Sequence, residues 1–326
     1  MTYSVAASDC DELEGPWQGL LGSAVTNTPF HTSQWLRAWW AQFQDEREML
    51  LLEVRRGREA VGIAPFMRRG QEITLIGSSH ICDYMDIIVA RGQEPAVAAA
   101  LLDYLDSQEW QSIDLPSLAH DSPVLSHLAP LARARGYRVE VTETDTCPQL
   151  ELPSTWEEYL SGLSSRHRHE IRRKLRRLDQ TGSARYYAVD GLGGLRQDVD
   201  DFTRLFRESR SDKAEFMTPQ MADFFQATAQ SMAGGGYLKL FFLEVGGARV
   251  AAALCFDYGD ARYLYNSGYD PQYSYFSVGL LLKVLCLKDG IETNKKRFDF
   301  LRGVEDYKYD LGGRDVPIYR CLIRRP

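Results

Sequence analysis

The amino-acid sequence predicts an α/β protein of the α+β type, with two similar halves in tandem. Each half is expected to form a mixed, mostly antiparallel twisted sheet flanked by helices. Residues 51–64 and 242–253 support this, because each contains an apolar strand ending in Leu-Glu-Val, a glycine turn and a strand of small apolar residues. Gly57 and Gly246 supply the positive φ that short hairpin turns need. We interpret the pair as a duplicated unit, with two unrelated hairpins of similar composition as the alternative.

Further elements complete the first half. A third strand near 72–77 closes its meander, and a second predicted strand lies near 113–115. Helices are expected near 94–107 and 122–135, and a last strand near 137–141. The first half is therefore predicted to contain a meander, two helices and two further strands.

The second half begins with a strand near 147–152 and a long helix at 155–181. Thr155 precedes Glu158 with capping-box spacing, and apolar residues recur at helical intervals behind them. The later predicted elements are helices near 194–209, 219–233 and 279–289, the meander 239–269, and strands near 297–301 and 317–323. The whole order predicts two domains, residues 1–146 and 147–326.

Composition excludes several classes of protein. The chain has 326 residues, which fits two domains, and a net charge of −7, which argues against broad binding to DNA. Its six cysteines show no metal-binding or disulfide-scaffold spacing, so we expect no metal. No apolar run reaches the ~20 residues of a membrane span, and the acidic N-terminus lacks a signal segment, so a cytoplasmic location is expected.

The strongest functional signal is the stretch from Phe298 to Lys308, where an apolar strand runs into a glycine and a polar cluster. Acyl transfer needs an acid or base for each proton and a cation or amide for the oxyanion. Those residue types are supplied here by Asp299, Arg302, Glu305, Tyr307 and Lys308. The first half has no counterpart, so chemistry is expected in the second half only. The alternative is a structural ion pair between Asp299 and Arg302 with a packed tyrosine.

A second signal lies about twenty residues upstream, where Ser277 opens an apolar helix. The free amides and partial positive charge of a helix start can hold a phosphate group. The residues placed to do so are Ser277, Val278, Gly279, Leu280 and Lys283. The alternative is a buried core helix whose serine is an incidental cap.

Several motifs carry a family resemblance. They are Leu-Glu-Val-Gly-Gly at 243–247, Gly268-Tyr269-Asp270-Pro271, Ser277-Val278-Gly279-Leu280-Leu281-Leu282, Phe298-Asp299-Phe300-Leu301-Arg302-Gly303 with Tyr307-Lys308, and, in the first half, Trp35-Leu36-Arg37-Ala38-Trp39-Trp40 and Asp83-Tyr84-Met85-Asp86. Together, over roughly residues 30–320, they resemble the CelD-like and BioF2-like acyltransferases of the Gcn5-related N-acetyltransferase (GNAT) superfamily, which are relatives of the Fem aminoacyltransferases.

This resemblance implies tandem GNAT-like domains and an N-acyltransferase. The donor would be acyl-CoA or acetyl-CoA, held at Ser277–Lys283, and the acceptor an amine on a small metabolite, sugar or polymer precursor. It places Lys308 near the reacting carbonyl. Attack would be direct, because no Ser/His/Asp or Cys/His arrangement is evident. The alternatives are a Fem-like enzyme that uses aminoacyl-tRNA, an acyl carrier as donor, and a non-catalytic binding domain.

Acceptor contacts are expected from two further places. Asp83, Tyr84 and Asp86 combine carboxylates with an aromatic ring, which suits a cationic amine; a capped turn is the alternative. Tyr265 shares a strand face with Tyr263 and is expected to line the same pocket as Arg302 and Glu305, unless it is ordinary strand packing.

The predicted helix 155–181 carries seven basic residues between Arg166 and Arg177 on one side and an apolar face on the other. Three interpretations stay open. The basic side is a solvated face, it binds a phosphorylated acceptor or tRNA backbone, or it contacts anionic lipid.

Overall fold

The computed structural model describes residues 2–326. Its contacts divide the chain into two compact units. The first contains the described residues up to 146 together with 316–326, and the second contains residues 147–315. Each unit has one sheet with helices packed on it, which confirms the predicted tandem α+β architecture.

The first unit contains eight strands and four α-helices among the described residues. Its strands are β1 (Tyr3–Ser8), β2 (Glu48–Arg56), β3 (Glu59–Arg69), β4 (Glu72–Leu75), β5 (Ile88–Val89), β6 (Ser112–Ala119), β7 (Arg138–Thr146) and, far along the chain, β14 (Pro317–Arg324), with an isolated bridge at Ala24 and Ala90. Its helices are α1 (Glu14–Leu21), α2 (Ser33–Phe43), α3 (Glu94–Asp106) and α4 (Ala129–Ala134), with short turns at Pro29–His31 and Val124–Leu128.

The second unit begins with β8 (Gln149–Glu151) and two consecutive helices. Its other strands are β9 (Ala184–Val189), β10 (Leu238–Val245), β11 (Ala248–Tyr258), β12 (Ala261–Tyr269) and β13 (Arg297–Asp299). Its helices are α5 (Trp156–Gly162), α6 (Ser165–Asp179), α7 (Leu195–Ser209), α8 (Ser211–Phe216), α9 (Pro219–Gly234), α10 (Val278–Glu292) and α11 (Asp306–Asp310), with a 3₁₀ turn at Pro271–Phe276.

The duplication extends beyond the hairpins. In the first sheet the meander β2-β3-β4 is followed by α3 and a parallel pairing of β4 with β6. In the second sheet the meander β10-β11-β12 is followed by α10 and a parallel pairing of β12 with β13. Every other strand pair in both sheets is antiparallel in the described chain. Both halves therefore repeat one order of elements, as the sequence predicted.

The last strand departs from the predicted boundaries. The sequence assigns β14 to a domain 147–326, but β14 pairs with β6 and β7 in the first sheet. In the second sheet the matching place, next to β13, is taken by β8. Spacing along the chain cannot reveal this, because strand pairing depends on which edge is open in the folded sheet.

The predicted helix 155–181 is also wrong in one respect, since it is two helices. Leu163 has an extended backbone (ψ 156°), and Ser164 caps α6 by accepting a hydrogen bond from the His167 N–H. The predicted capping box of Thr155 and Glu158 is present at the start of α5. The serine cap therefore starts a new helix at this point, although the apolar residues continue at helical spacing across it.

Two layers of helices cover the second sheet. On one face α10 packs with α5 and α6 around a core that includes Phe241, Ala253 and Leu282. On the other face α7 and α9 pack on β10, β11 and β12. Helix α10 is apolar on nearly every side, as expected for a buried helix, so its first turn is held firmly against the sheet.

Candidate functional site

Strands β12 and β13 separate after a short stretch of pairing in the second sheet. They pair only from Ala261 opposite Arg297 to Tyr263 opposite Asp299, while β12 continues to Tyr269. A register shift in the neighbouring strand β11, between Leu254 and Cys255, lies beside this point. A short parallel pairing next to a bulge opens the sheet edge, and the polar cluster predicted from the sequence follows directly after it.

The chain after β13 is held in an unusual conformation. Leu301 has a φ of +57°, the left-handed region that a bulky side chain rarely adopts. The carboxylate of Asp299 accepts a hydrogen bond from the Leu301 N–H at 2.8 Å and one from the Gln149 side-chain amide at 3.0 Å. Such strain of about 1–3 kcal/mol persists only where the surroundings enforce it.

Lys308 binds the backbone of the same loop, at residues 301–303. Its ammonium group donates to the carbonyl oxygens of Leu301 at 2.8 Å, Arg302 at 2.6 Å and Gly303 at 3.2 Å. It also lies 3.0 Å from a carboxylate oxygen of Glu305, and its side chain is 2% exposed. Lys308 and the carboxylate before the loop therefore organise the loop backbone; their catalytic roles stay predictions.

Glu305 and Tyr307 complete the cluster. Burial alone would raise the pKa of Glu305, but the charge and hydrogen bond of Lys308 outweigh it and lower that pKa. Burial raises the pKa of Tyr307 well above its usual value, and the nearby Glu305 charge acts in the same direction. The tyrosine consequently stays protonated at neutral pH, as a proton donor must.

The predicted donor residues line one cavity of about 230 Å³ at the start of α10. The cavity wall contains Lys174, Tyr269, Ser274, Ser277, Val278, Gly279, Leu280, Lys283 and Tyr307. Ser277 has a φ of +57° and makes no side-chain cap, so the first amides of the helix are not capped by it. All five predicted donor residues thus line a cavity that also contains Tyr307 of the predicted catalytic cluster.

Lys283 is one of two lysines in the wall of this cavity. Its ammonium group donates to the Gly279 carbonyl at 3.1 Å and lies 4.6 Å from the centre of the Tyr307 ring. Burial lowers its pKa to about 8, and the charges of Lys213 and Lys308 contribute in the same direction. A lysine with this pKa carries its charge at neutral pH but loses it in mild alkali.

Packing requires a glycine at position 279, which the sequence did not show. A Cβ at this position would lie 2.7 Å from a ring carbon of Tyr269. The glycine therefore lets α10 approach the end of β12, whereas the sequence argument was close approach of a ligand. Both requirements apply to the same wall of the cavity.

The sequence missed two basic contributors to this cavity. Helix α6 packs beside the start of α10, so that Lys174 lines the cavity and Arg177 makes a long contact of 3.5 Å with the Ser277 hydroxyl. The basic pattern of this helix was evident in the sequence. What was missing was its position, because a hundred residues separate Arg177 from Ser277.

The other predicted substrate residues lie elsewhere. Tyr265 packs between Phe225 and Phe256, with ring centres 5.6 and 5.5 Å away, on the face covered by α9. Asp83 and Tyr84 belong to the first unit, where Asp83 is half-buried and Tyr84 is buried with its ring 6.0 Å from that of Phe30. Their acceptor role stays a prediction.

Asp86, also in the first unit, is 2% exposed. Burial raises its pKa to about 8, although hydrogen bonds from Ser122 and the Ile87 N–H act against this. The Oδ2 atom of Asp86 has no hydrogen-bond partner. At neutral pH the side chain is a neutral acid inside the unit, which is a poor partner for a cation.

Cysteine nucleophiles receive no support from the structure. Five of the six cysteines are buried, and burial raises the pKa of Cys255 and takes that of Cys321 to about 12. Within residues 2–326 no three His, Cys, Asp or Glu side chains are grouped so that they could hold a metal ion.

One family model matches part of the chain. Residues 165–309, which lie within the second unit, match the model described as an acetyltransferase (GNAT) domain. This match agrees with the resemblance drawn from the motifs. It spans the basic helix α6, the cavity at the start of α10 and the loop held by Lys308.

Solved structures share the fold over the whole chain. FemX aligns with a TM-score of 0.68 at 11% identity, covering 98% of this chain and 96% of FemX. L-PGS from Bacillus licheniformis aligns with a TM-score of 0.61 at 12% identity, covering 98% and 92%. A tandem GNAT protein from the clavulanic acid biosynthesis pathway aligns with 0.52 at 12% identity, covering 100% and 99%. At such identities the likeness is one of fold alone.

No curated protein matches the chain in sequence. Among the described helices, none combines the length and the apolar character that crossing a membrane requires.

Proposed function

We propose that the protein is an N-acyltransferase that moves an acyl group from acyl-CoA to an amine by direct attack. The observation that carries this is the cavity at the start of α10, in which Lys283 and Lys174 flank the first turn of the helix. A helix start together with two cations suits the pyrophosphate of coenzyme A. Arg177 of α6 adds a third basic side chain beside this turn, 3.5 Å from the Ser277 hydroxyl.

The residues around the cavity take complementary roles in this proposal. Tyr307, whose hydroxyl is protonated at neutral pH, donates a proton to the departing thiolate. The amine forms a bond to the thioester carbonyl and the carbon–sulfur bond breaks. The proton that the amine releases passes to solvent, and solvent returns a proton to the Tyr307 oxygen. The loop held by Asp299 and Lys308 shapes the opening between β12 and β13 through which the amine would approach.

The proposed test is ligand-dependent stability. Acetyl-CoA at about 100 times its dissociation constant should stabilise the folded protein by about 2.7 kcal/mol, raising its melting temperature. Lys283→Met should abolish most of this shift. Lys288→Met is the matched control, because Lys288 lies on the same helix and pairs at 3.5 Å with Glu292 on its surface. No shift with acetyl-CoA or longer acyl-CoA would contradict the proposed donor.

A second candidate is transfer from aminoacyl-tRNA, favoured by the basic side of α6 outside the donor cavity. A larger cavity of about 860 Å³ lies there, lined by residues of α6 and α11 that include Arg166, His169 and Arg173. FemX and L-PGS share the fold of this chain. Binding of charged tRNA without any response to acyl-CoA would decide for this candidate.

A further inference from the structure

Tyr275 is a large side chain left in solvent beside the donor cavity. It lies in the 3₁₀ turn Pro271–Phe276 directly before α10 and is 69% exposed. Its neighbours Ser274 and Ser277 both line the cavity. Nucleic-acid bases stack on exposed aromatic rings of this kind where basic side chains lie beside them.

The ring is held on one face only. The guanidinium of Arg177 lies 4.6 Å from the ring centre, while its Nη2 contacts the Ser277 hydroxyl. The Phe276 ring meets Tyr275 edge-on at 5.2 Å. These contacts set the orientation of the Tyr275 ring, and its exposure leaves the opposite face open to a planar ligand.

Positive charge exceeds negative charge around this ring. Arg173, Lys174 and Arg177 follow one another along α6, and Arg173 is close enough to Tyr275 for its charge to act on it. Glu170 is the acidic partner, at 2.8 Å from Arg173 and 3.3 Å from Lys174. One carboxylate facing three cations leaves the surface suited to a phosphate.

The size of the cavity decides where a nucleotide would lie. At about 230 Å³ it falls below the roughly 300–1,000 Å³ of common ligand pockets. Coenzyme A is larger than such a volume can hold, so part of the donor must lie outside the cavity. With the pyrophosphate at the first turn of α10, the adenosine end would lie beside Tyr275, whose neighbours Ser274 and Ser277 line the cavity.

We propose that Tyr275 and Arg177 form a stacking platform for the adenine of the acyl-CoA donor, with Arg173 and Lys174 facing its ribose phosphate. This inference rests on the proposed function, because it assigns a subsite to the donor of that reaction. It adds a ligand contact from α6, a helix outside the loop in which phosphate binding was expected.

The test is calorimetric binding of two probes, coenzyme A and 4′-phosphopantetheine, which lacks the nucleotide. Tyr275→Ala should weaken coenzyme A binding about tenfold, from the cost of losing one stacked base. It should leave 4′-phosphopantetheine binding within about twofold, and Tyr275→Phe should bind like wild type. Leu192→Ala is the control for removing an exposed side chain elsewhere, since Leu192 is 62% exposed.

The ribose phosphate is tested with dephospho-coenzyme A. Wild type should prefer coenzyme A over this probe, and Arg173→Gln should reduce the preference. Unchanged coenzyme A affinity in Tyr275→Ala, or an equal loss for 4′-phosphopantetheine, would overturn the platform while leaving the acyl-CoA proposal intact. A wild-type protein that binds neither probe, with tRNA binding weakened by Tyr275→Ala, would overturn both.

Discussion

Replacing Lys308 by methionine should destabilise the second unit rather than merely slow its chemistry. The ammonium group holds three carbonyl oxygens at 2.6–3.2 Å and keeps Leu301 in the left-handed region. Hydrogen bonds to charged groups contribute about 1.5–3 kcal/mol each. Arg302 and Gly303 are half-buried, so water can replace part of the hydrogen bonding that their carbonyl oxygens lose. We therefore expect a loss of about 3–5 kcal/mol, because three carbonyl oxygens lose a charged donor and only two of them are partly open to water.

Circular dichroism melting and urea unfolding measure this loss. For a unit of this size about 1 kcal/mol corresponds to about 2–4 °C, so the transition should fall by about 10 °C. Lys288→Met, which removes an exposed pair at 3.5 Å, should change stability by less than about 0.5 kcal/mol. A Lys308→Met protein with the same melting temperature as wild type would refute the structural role of Lys308 and leave only a catalytic one.

Four further predictions concern Asp86, Gly279, Lys283 and Tyr307. Asp86→Asn should gain stability relative to wild type as pH rises from about 4 to about 8. In wild type the buried acid, with a pKa of about 8, keeps a proton that the unfolded chain releases over this range, so the wild-type fold loses stability. The difference in unfolding free energy between variant and wild type, measured with urea, should therefore be larger at pH 8.5 than at pH 5, and a constant difference would contradict this. Gly279→Ala should lower the melting temperature, since its Cβ would lie 2.7 Å from a tyrosine ring, whereas Gly290→Ala on the same helix, with nothing nearer than 3.5 Å, should be neutral or stabilising by up to about 1 kcal/mol. Acetyl-CoA affinity should fall as pH rises through about 8, where Lys283 loses its charge, and a Lys283→Arg variant that keeps the same pH dependence would contradict this. Tyr307→Phe should lower kcat about a hundredfold with the dissociation constant of acetyl-CoA within about twofold, and unchanged turnover would exclude it as the proton donor.

Local patterns were sufficient for most elements of the fold. The hairpins with glycine turns and the capping box at Thr155 depend on residues a few positions apart. The structure contains both hairpins and the capping box. The break at Ser164 was missed, because a serine cap and continuous helical periodicity compete within one turn. The place of β14 was missed for a different reason, since strand pairing joins distant segments.

The candidate site divides in the same way. The residues Ser277–Leu280, Lys283 and Tyr307 were selected from the sequence, and they line one cavity. Their chemical character was less evident, because a pKa depends on burial and on charges that distant segments supply. Lys283 titrates near 8 owing to its surroundings, and Asp86 is a neutral acid for the same reason.

The sequence by itself determined the α+β class, the duplication and the segment in which chemistry is expected. These follow from hydrophobic periodicity, turn glycines and capping residues, which act between near neighbours in the chain. Only the tertiary structure brought Lys174 and Arg177 of α6 to the start of α10, and only it showed Lys308 holding the strained Leu301. The reason is physical, because electrostatic and packing interactions depend on distance in space, and the fold joins residues a hundred positions apart.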